Sequence, residues 1–145
     1  MLNISEIAYN ISILFSPPEY NIRDGRIADN WGGTSMCELE VNHIKPEDVS
    51  SEEMNYYGGA LTFLGAKENL FYLYYIVSSI KTNSQYNLDE LLSNVENHLE
   101  EYLELLNTNK SHFKVVISHI YENFFSEEEN KDVYSFPNIK QYIHS

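Results

Sequence analysis

The sequence predicts an all-α fold, a compact single-domain bundle of about five to six helices with a long loop near the N-terminus. Three observations lead there. Apolar residues recur at i, i+3, i+4 and i+7 over several segments, the spacing that lines one face of a helix. Prolines and glycines fall mainly between those segments, where they stop or turn the chain. The length, 145 residues, suits one domain, and no internal repeat, low-complexity tract or linker divides it.

The elements follow in order. Ile4, Ile7, Ala8, Ile11, Leu14 and Phe15 share a helical face, Asn3 or Ser5 supplies a cap, and Pro17-Pro18 ends the helix, which gives residues 4–16. Residues 17–35 read as the long loop, with Asp24-Gly25 and Trp31-Gly32-Gly33 as turn signals. Residues 35–44 suggest a short helix, and Pro46-Glu47-Asp48 a helical first turn. Residues 53–64 suggest a short helix or turn broken at Gly58-Gly59. Residues 66–81 are apolar nearly all round, which describes a central buried helix or a buried strand. The length and the Ala66-Lys67-Glu68 lead-in favour the helix, and the strand stays open.

Residues 88–106 form the clearest helix. Leu88, Leu91, Leu92, Val95, Leu99, Tyr102, Leu103 and Leu106 make one apolar stripe, with Asn87 and Glu90 spaced as a capping box. Phe113, Val116, Ile117, Ile120 and Phe124 mark a helix over 111–125; residues 126–132 read as a charged loop. Phe136-Pro137 opens a last short helix containing Ile139, Tyr142 and Ile143.

Charge narrows the function classes. There are 22 acidic and 9 basic residues, a net charge of −13. Such a chain repels phosphate backbones and anionic lipid surfaces, so neither nucleic acid nor membrane is expected as a partner. A basic protein partner is, because opposite fields speed encounter and fix orientation. No apolar run approaches the roughly 18 residues of a membrane span, and the N-terminus lacks the basic region of a signal peptide. Cys37 is the single cysteine, so the chain closes no disulfide on itself, which suits a reducing, cytoplasmic setting. The abundance of Asn, Ile, Lys and Tyr suggests a bacterial source.

Catalytic and metal motifs do not assemble. Gly59 to Lys67 has the wrong spacing for a phosphate loop, with Ala66 before the lysine and Glu68 after it. Asp24-Gly25 lacks the flanking acids of a calcium loop. His112 and His119 share a helical face but lie two turns apart, about 10 Å, too far for one metal ion. Neither a cofactor nor an enzymatic activity is expected.

Candidate binding residues remain. Glu90, Glu96, Glu100, Glu101 and Glu104 lie on the polar side of the 88–106 helix with no Lys or Arg among them. Like charges four apart cost a helix a few tenths of a kcal/mol each, roughly, and acids near its C-terminus oppose the macrodipole, so local stability does not select them. A second acidic segment holds Glu38, Glu40, Glu47 and Asp48, and Trp31 beside Asp29 offers an aromatic anchor in the long loop.

The stretch Ala60-Leu61-Thr62-Phe63-Leu64, followed by Glu68-Asn69-Leu70-Phe71-Tyr72-Leu73-Tyr74-Tyr75, resembles a family of small, largely uncharacterised bacterial proteins. In that family an alanine-leucine, then leucine turn precedes an aromatic-rich helix. The family's usual proline inside that helix is missing here; Ile76 or a neighbour stands in its place. The motif concerns packing and carries no catalytic residue across. In size, acidity and isolated-domain character the chain is also similar to the immunity proteins that bacteria make against their own toxic nucleases. That similarity of type implies a cytoplasmic protein, a monomer or weak dimer, that neutralises a basic toxin domain. The alternatives are an adaptor or subunit pairing through the 88–106 stripe, and a carboxylate-based enzyme.

Overall fold

A computed structural model describes residues 3–29, 39–80 and 85–145. Among these, eight α-helices and three 3-10 turns account for the regular structure, and no strand occurs. The aromatic segment is therefore a helix, and the strand alternative falls away.

Helix α1 (Ile4–Ser12) starts at Asn3, whose side chain accepts the Glu6 N–H at 2.8 Å. It is shorter than its apolar spacing suggested, and Ile13 and Leu14 lie exposed beyond it. The expected long loop contains a helix, α2 (Ile22–Asp29). Asn21 accepts the N–H groups of Arg23 and Asp24, and Asp24 reciprocates by accepting the Asn21 N–H at 2.9 Å. That reciprocal cap turns Asp24-Gly25 from a turn into a first helical turn. Gly25 is needed for contact: a Cβ there would stand 3.0 Å from Leu64 Cδ2 and 3.1 Å from the Ala60 carbonyl. Residues 30–38 lie outside the described residues, so Trp31 and Glu38 have no structural placement, and neither does the first part of the expected helix over 35–44.

The described remainder of that stretch, Leu39 to Lys45, is not helical. The Tyr57 hydroxyl holds it instead, accepting the Leu39 N–H at 2.8 Å and donating to the Leu39 carbonyl at 3.0 Å. A 3-10 turn at Pro46–Asp48 leads into α3 (Ser51–Tyr57), capped by Ser50. A second 3-10 turn, Gly58–Phe63, follows directly.

Helix α4 (Ala66–Ser78) is the axis of the core, with α1 and α5 packed along it. Nine of its thirteen residues are buried, which explains its nearly continuous apolar run. Helix α5 (Gln85–Leu106) carries the predicted stripe into the core: Leu88, Leu91, Leu92, Val95, Tyr102 and Leu106 are buried. Its start lies ahead of the expected cap, Asn87, which is buried and donates to the Met54 carbonyl at 3.4 Å. Helix α6 (Lys110–Phe124) closes the core against α1 and α5 with Phe113, Val116, Ile117, Ile120 and Phe124, the five residues its spacing selects. The charged stretch after it forms a short helix, α7 (Glu128–Val133), and α8 (Pro137–Ile143) lies across α5 and α6.

Polar groups stitch this core. Tyr102 donates to Asn94 Oδ1 at 2.5 Å and accepts from Asn69. Asn94 and Asn69 in turn donate to the carbonyls of Thr62, Leu64 and Leu61. The irregular 58–64 backbone is thus satisfied by α4 and α5. No described helix is long and apolar enough to cross a membrane.

Candidate functional site

Helix α5 carries its acids on the side turned away from the core, and the way it is built divides them. The helix is kinked at His98, where φ is −133° and ψ is 27°. Glu96 lies before the kink; Glu100, Glu101 and Glu104 lie after it. The short C-terminal helix α8 runs beside this region, and the two elements enclose an open groove of about 760 Å³. Glu96, His98, Glu100, Glu101 and Glu104 form one wall and Asn138, Gln141 and Tyr142 the other, with no Lys or Arg in the lining.

Glu96 has a structural task. Its Oε2 accepts the Asn138 N–H at 2.9 Å, and its Oε1 accepts the Ile139 N–H at 3.0 Å. Two otherwise unpaired donors at the start of α8 are satisfied by a carboxylate, which the helix dipole also favours. The Tyr142 wall is fixed from behind. Its hydroxyl donates to the Lys110 carbonyl at 2.8 Å, and the Lys114 ammonium lies 5.4 Å from its ring centroid. Lys114 also donates to Ser145 at the edge of the groove, so this cation stands beside the lining without forming part of it.

Glu100, Glu101 and Glu104 are exposed. The nearest cationic candidate is His98, whose Nδ1 stands 4.0 Å from a Glu101 oxygen at the surface. Such a pair contributes little even when the ring is charged. Three carboxylates therefore face the groove without a fold-level role. With Glu96 they make a concave negative surface beside one aromatic ring, an arrangement that attracts and seats ammonium or guanidinium groups.

The other predicted site residues scatter. Glu90 contacts the Thr62 hydroxyl and ties α5 to the 3-10 turn. Asp48 accepts the N–H groups of Ile44 and Lys45, at 3.3 and 3.0 Å, and so shapes its own turn. Asp29 pairs with Arg26 at 3.6 Å on α2. Glu40 and Glu47 are exposed, and Glu47 lines a different groove, with Tyr9 and Tyr74. Among the described residues, Glu40, Glu47 and Asp48 thus do not join the α5 acids in one lining.

A buried titratable cluster escaped the sequence reading. His43 contacts Glu53 through Nε2 and lies 3.2 Å from the Tyr72 hydroxyl through Nδ1. The Tyr72 oxygen accepts the Ile22 N–H at 3.2 Å, so its own proton is available to Nδ1, which leaves Nε2–H to donate to Glu53. The second Glu53 oxygen accepts from Ser50. Burial pushes the Tyr72 hydroxyl well above the ordinary tyrosine range, the Ile22 bond opposes this, and the charges of Glu53, Asp24 and Glu68 add to it. Tyr72 is fully buried and His43 nearly so. The cluster braces α2, α3 and the 39–45 segment onto α4. Positions 43, 53 and 72 follow no motif spacing, so only the fold brings them together.

Among the described residues no group of three or more His, Cys, Asp or Glu side chains is arranged to hold a metal ion. No known protein family, curated protein or solved structure matches this chain.

Proposed function

We propose that this chain is a binding protein of the immunity type, cytoplasmic and non-catalytic, which neutralises a basic toxin domain by seating it on the α5–α8 groove. The observation that carries the reading is the groove itself. Four carboxylates line it, no Lys or Arg does, and three of the four perform no task in the fold. Acids in this place oppose the α5 dipole and one another, so a partner's cations give the physical reason for them. The net charge of −13 extends the same preference to the long-range field.

The alternative reading, a subunit paired through the 88–106 stripe, has less apolar surface to draw on, with only Leu99 and Leu103 of the stripe half-buried. Leu88, Leu91, Leu92, Val95, Tyr102 and Leu106 are buried within this chain's own core, and among the described side chains of α5 Leu105 is the one large apolar residue that stands clearly exposed.

Co-expression tests the proposal. A basic domain encoded beside this gene, toxic when expressed alone, should be tolerated when the chain is co-expressed, and the two should co-purify. Continued killing at full expression of the chain, with no complex formed, rejects the immunity reading.

A further inference from the structure

The other side of α8 carries a second groove of opposite character. It encloses about 530 Å³ among Tyr121 and Phe125 of α6, Lys131 of α7, Lys140 of α8, and Tyr134 and Phe136 of the connection between α7 and α8. Its charged lining consists of two lysines and no carboxylate. In a chain with 22 acidic residues against 9 basic ones, this is the reverse of the average surface.

The rings form a continuous wall. Tyr121 and Phe125 lie 4.6 Å apart, Phe125 and Phe136 5.9 Å, and Tyr134 and Phe136 stack within 19° of parallel at 6.2 Å. Phe136 is buried and anchors the wall, while Tyr121, Phe125 and Tyr134 are half-buried and leave ring surface open. Burial raises the Tyr134 hydroxyl pKa above the ordinary tyrosine value, and the nearby Asp89 carboxylate, which accepts from Ser93, adds to this. At the rim, the Lys131 ammonium is paired with Glu128 at 2.9 Å in an exposed contact, the kind that is weakly held. Lys140 is exposed and has no ion-pair partner among the described residues.

We propose that this groove binds a small planar aromatic anion, with its ring against the aromatic wall and its acid group at Lys140, Lys131 serving as the second cation. An incoming ring finds offset and edge positions on the wall. A carboxylate meeting an ammonium there makes a charge-assisted hydrogen bond. The volume lies within the roughly 300–1,000 Å³ of small-molecule sites. The groove shares no lining residue with the acidic one and takes the opposite charge, so this proposal stands independently of the toxin reading.

Titration of the full chain with naphthoate, followed by amide chemical shifts, tests it. Naphthoate should produce saturable shifts concentrated between residues 121 and 140. Naphthylmethylammonium, a cation of similar shape, should bind about tenfold more weakly or worse. Lys140→Gln, at an exposed position, should fold normally and weaken naphthoate about fivefold or more. Absence of saturation, equal binding of the cation, or unchanged affinity in Lys140→Gln overturns the assignment.

Discussion

Glu96 stands one turn before Glu100 on α5, yet two backbone N–H groups of α8 hold its carboxylate, while that of Glu100 is exposed. The two acids therefore answer differently to the same change. Glu96→Ala leaves the start of α8 without its acceptor and should cost about 1–2 kcal/mol, the scale of a lost helix cap. Glu104→Ala, a change at an exposed site, should stay within about 0.5 kcal/mol of the parent. Chemical denaturation of both variants checks this. Equal midpoints would mean that the α8 contacts contribute nothing.

The tyrosines make a second residue-scale test. Burial raises the hydroxyl pKa of Tyr72 and of Tyr102 well above the ordinary value of about 10. A group whose folded value lies above its unfolded one contributes stability that is complete below the unfolded value and lost as pH rises through the folded one. Stability should therefore decline above about pH 10, where the unfolded chain releases these protons and the folded chain keeps them. Tyrosinate absorbance followed together with helical circular dichroism should show exposed tyrosines ionising first, and a last group ionising only as helicity collapses. Complete ionisation with the helical signal intact contradicts the buried placement.

At the scale of elements, Gly25 shows why α2 could not be read from periodicity. The helix buries Ile22 and Gly25, and its most crowded contact is a residue without a side chain, set against Leu64 and Ala60. The usable signal was Asn21 followed three residues later by Asp24, a reciprocal cap that Pro17-Pro18 and Asp24-Gly25 disguised as loop. Gly25→Ala should destabilise the fold by about 1–3 kcal/mol through overpacking against the Ala60 carbonyl, measured as a lowered unfolding midpoint. A neutral or stabilising result would place α2 farther from the 58–64 segment than described.

Helices α5 and α6 were legible because each buries one long apolar face, which imprints its period on the sequence. Helix α4, buried nearly all round, carries no such period and was favoured over a strand by its length and lead-in. Helix α7 has six residues and none buried, so it leaves no such imprint. The site was legible in part. Glu100, Glu101 and Glu104 stand out as acids without a Lys or Arg beside them in the sequence, on a helix whose stability they do not serve. The role of Glu96 was hidden because its partner lies 42 residues away. That of Asp48 was hidden because it closes on its own turn.

Across the whole molecule, charge is distributed with more structure than its net value of −13 suggests. Helix α8 separates a groove lined by carboxylates from one lined by lysines, and the Glu96 cap fixes where that helix starts. The same short element thus positions both surfaces, while α5 and α6 pack behind it.

The proposal that the α5–α8 groove docks a basic protein makes a kinetic prediction. It is tested most directly by stopped-flow association of the chain with the basic domain encoded beside it, at low and at high salt. The comparison is with a variant carrying Glu100→Lys, Glu101→Lys and Glu104→Lys, its fold verified by circular dichroism. The parent should associate fast and slow steeply with salt, within the roughly 10- to 1,000-fold range of electrostatic steering, and the variant should lose most of that advantage at low salt. Equal association rates for parent and variant, with the same salt dependence, would contradict docking at this groove.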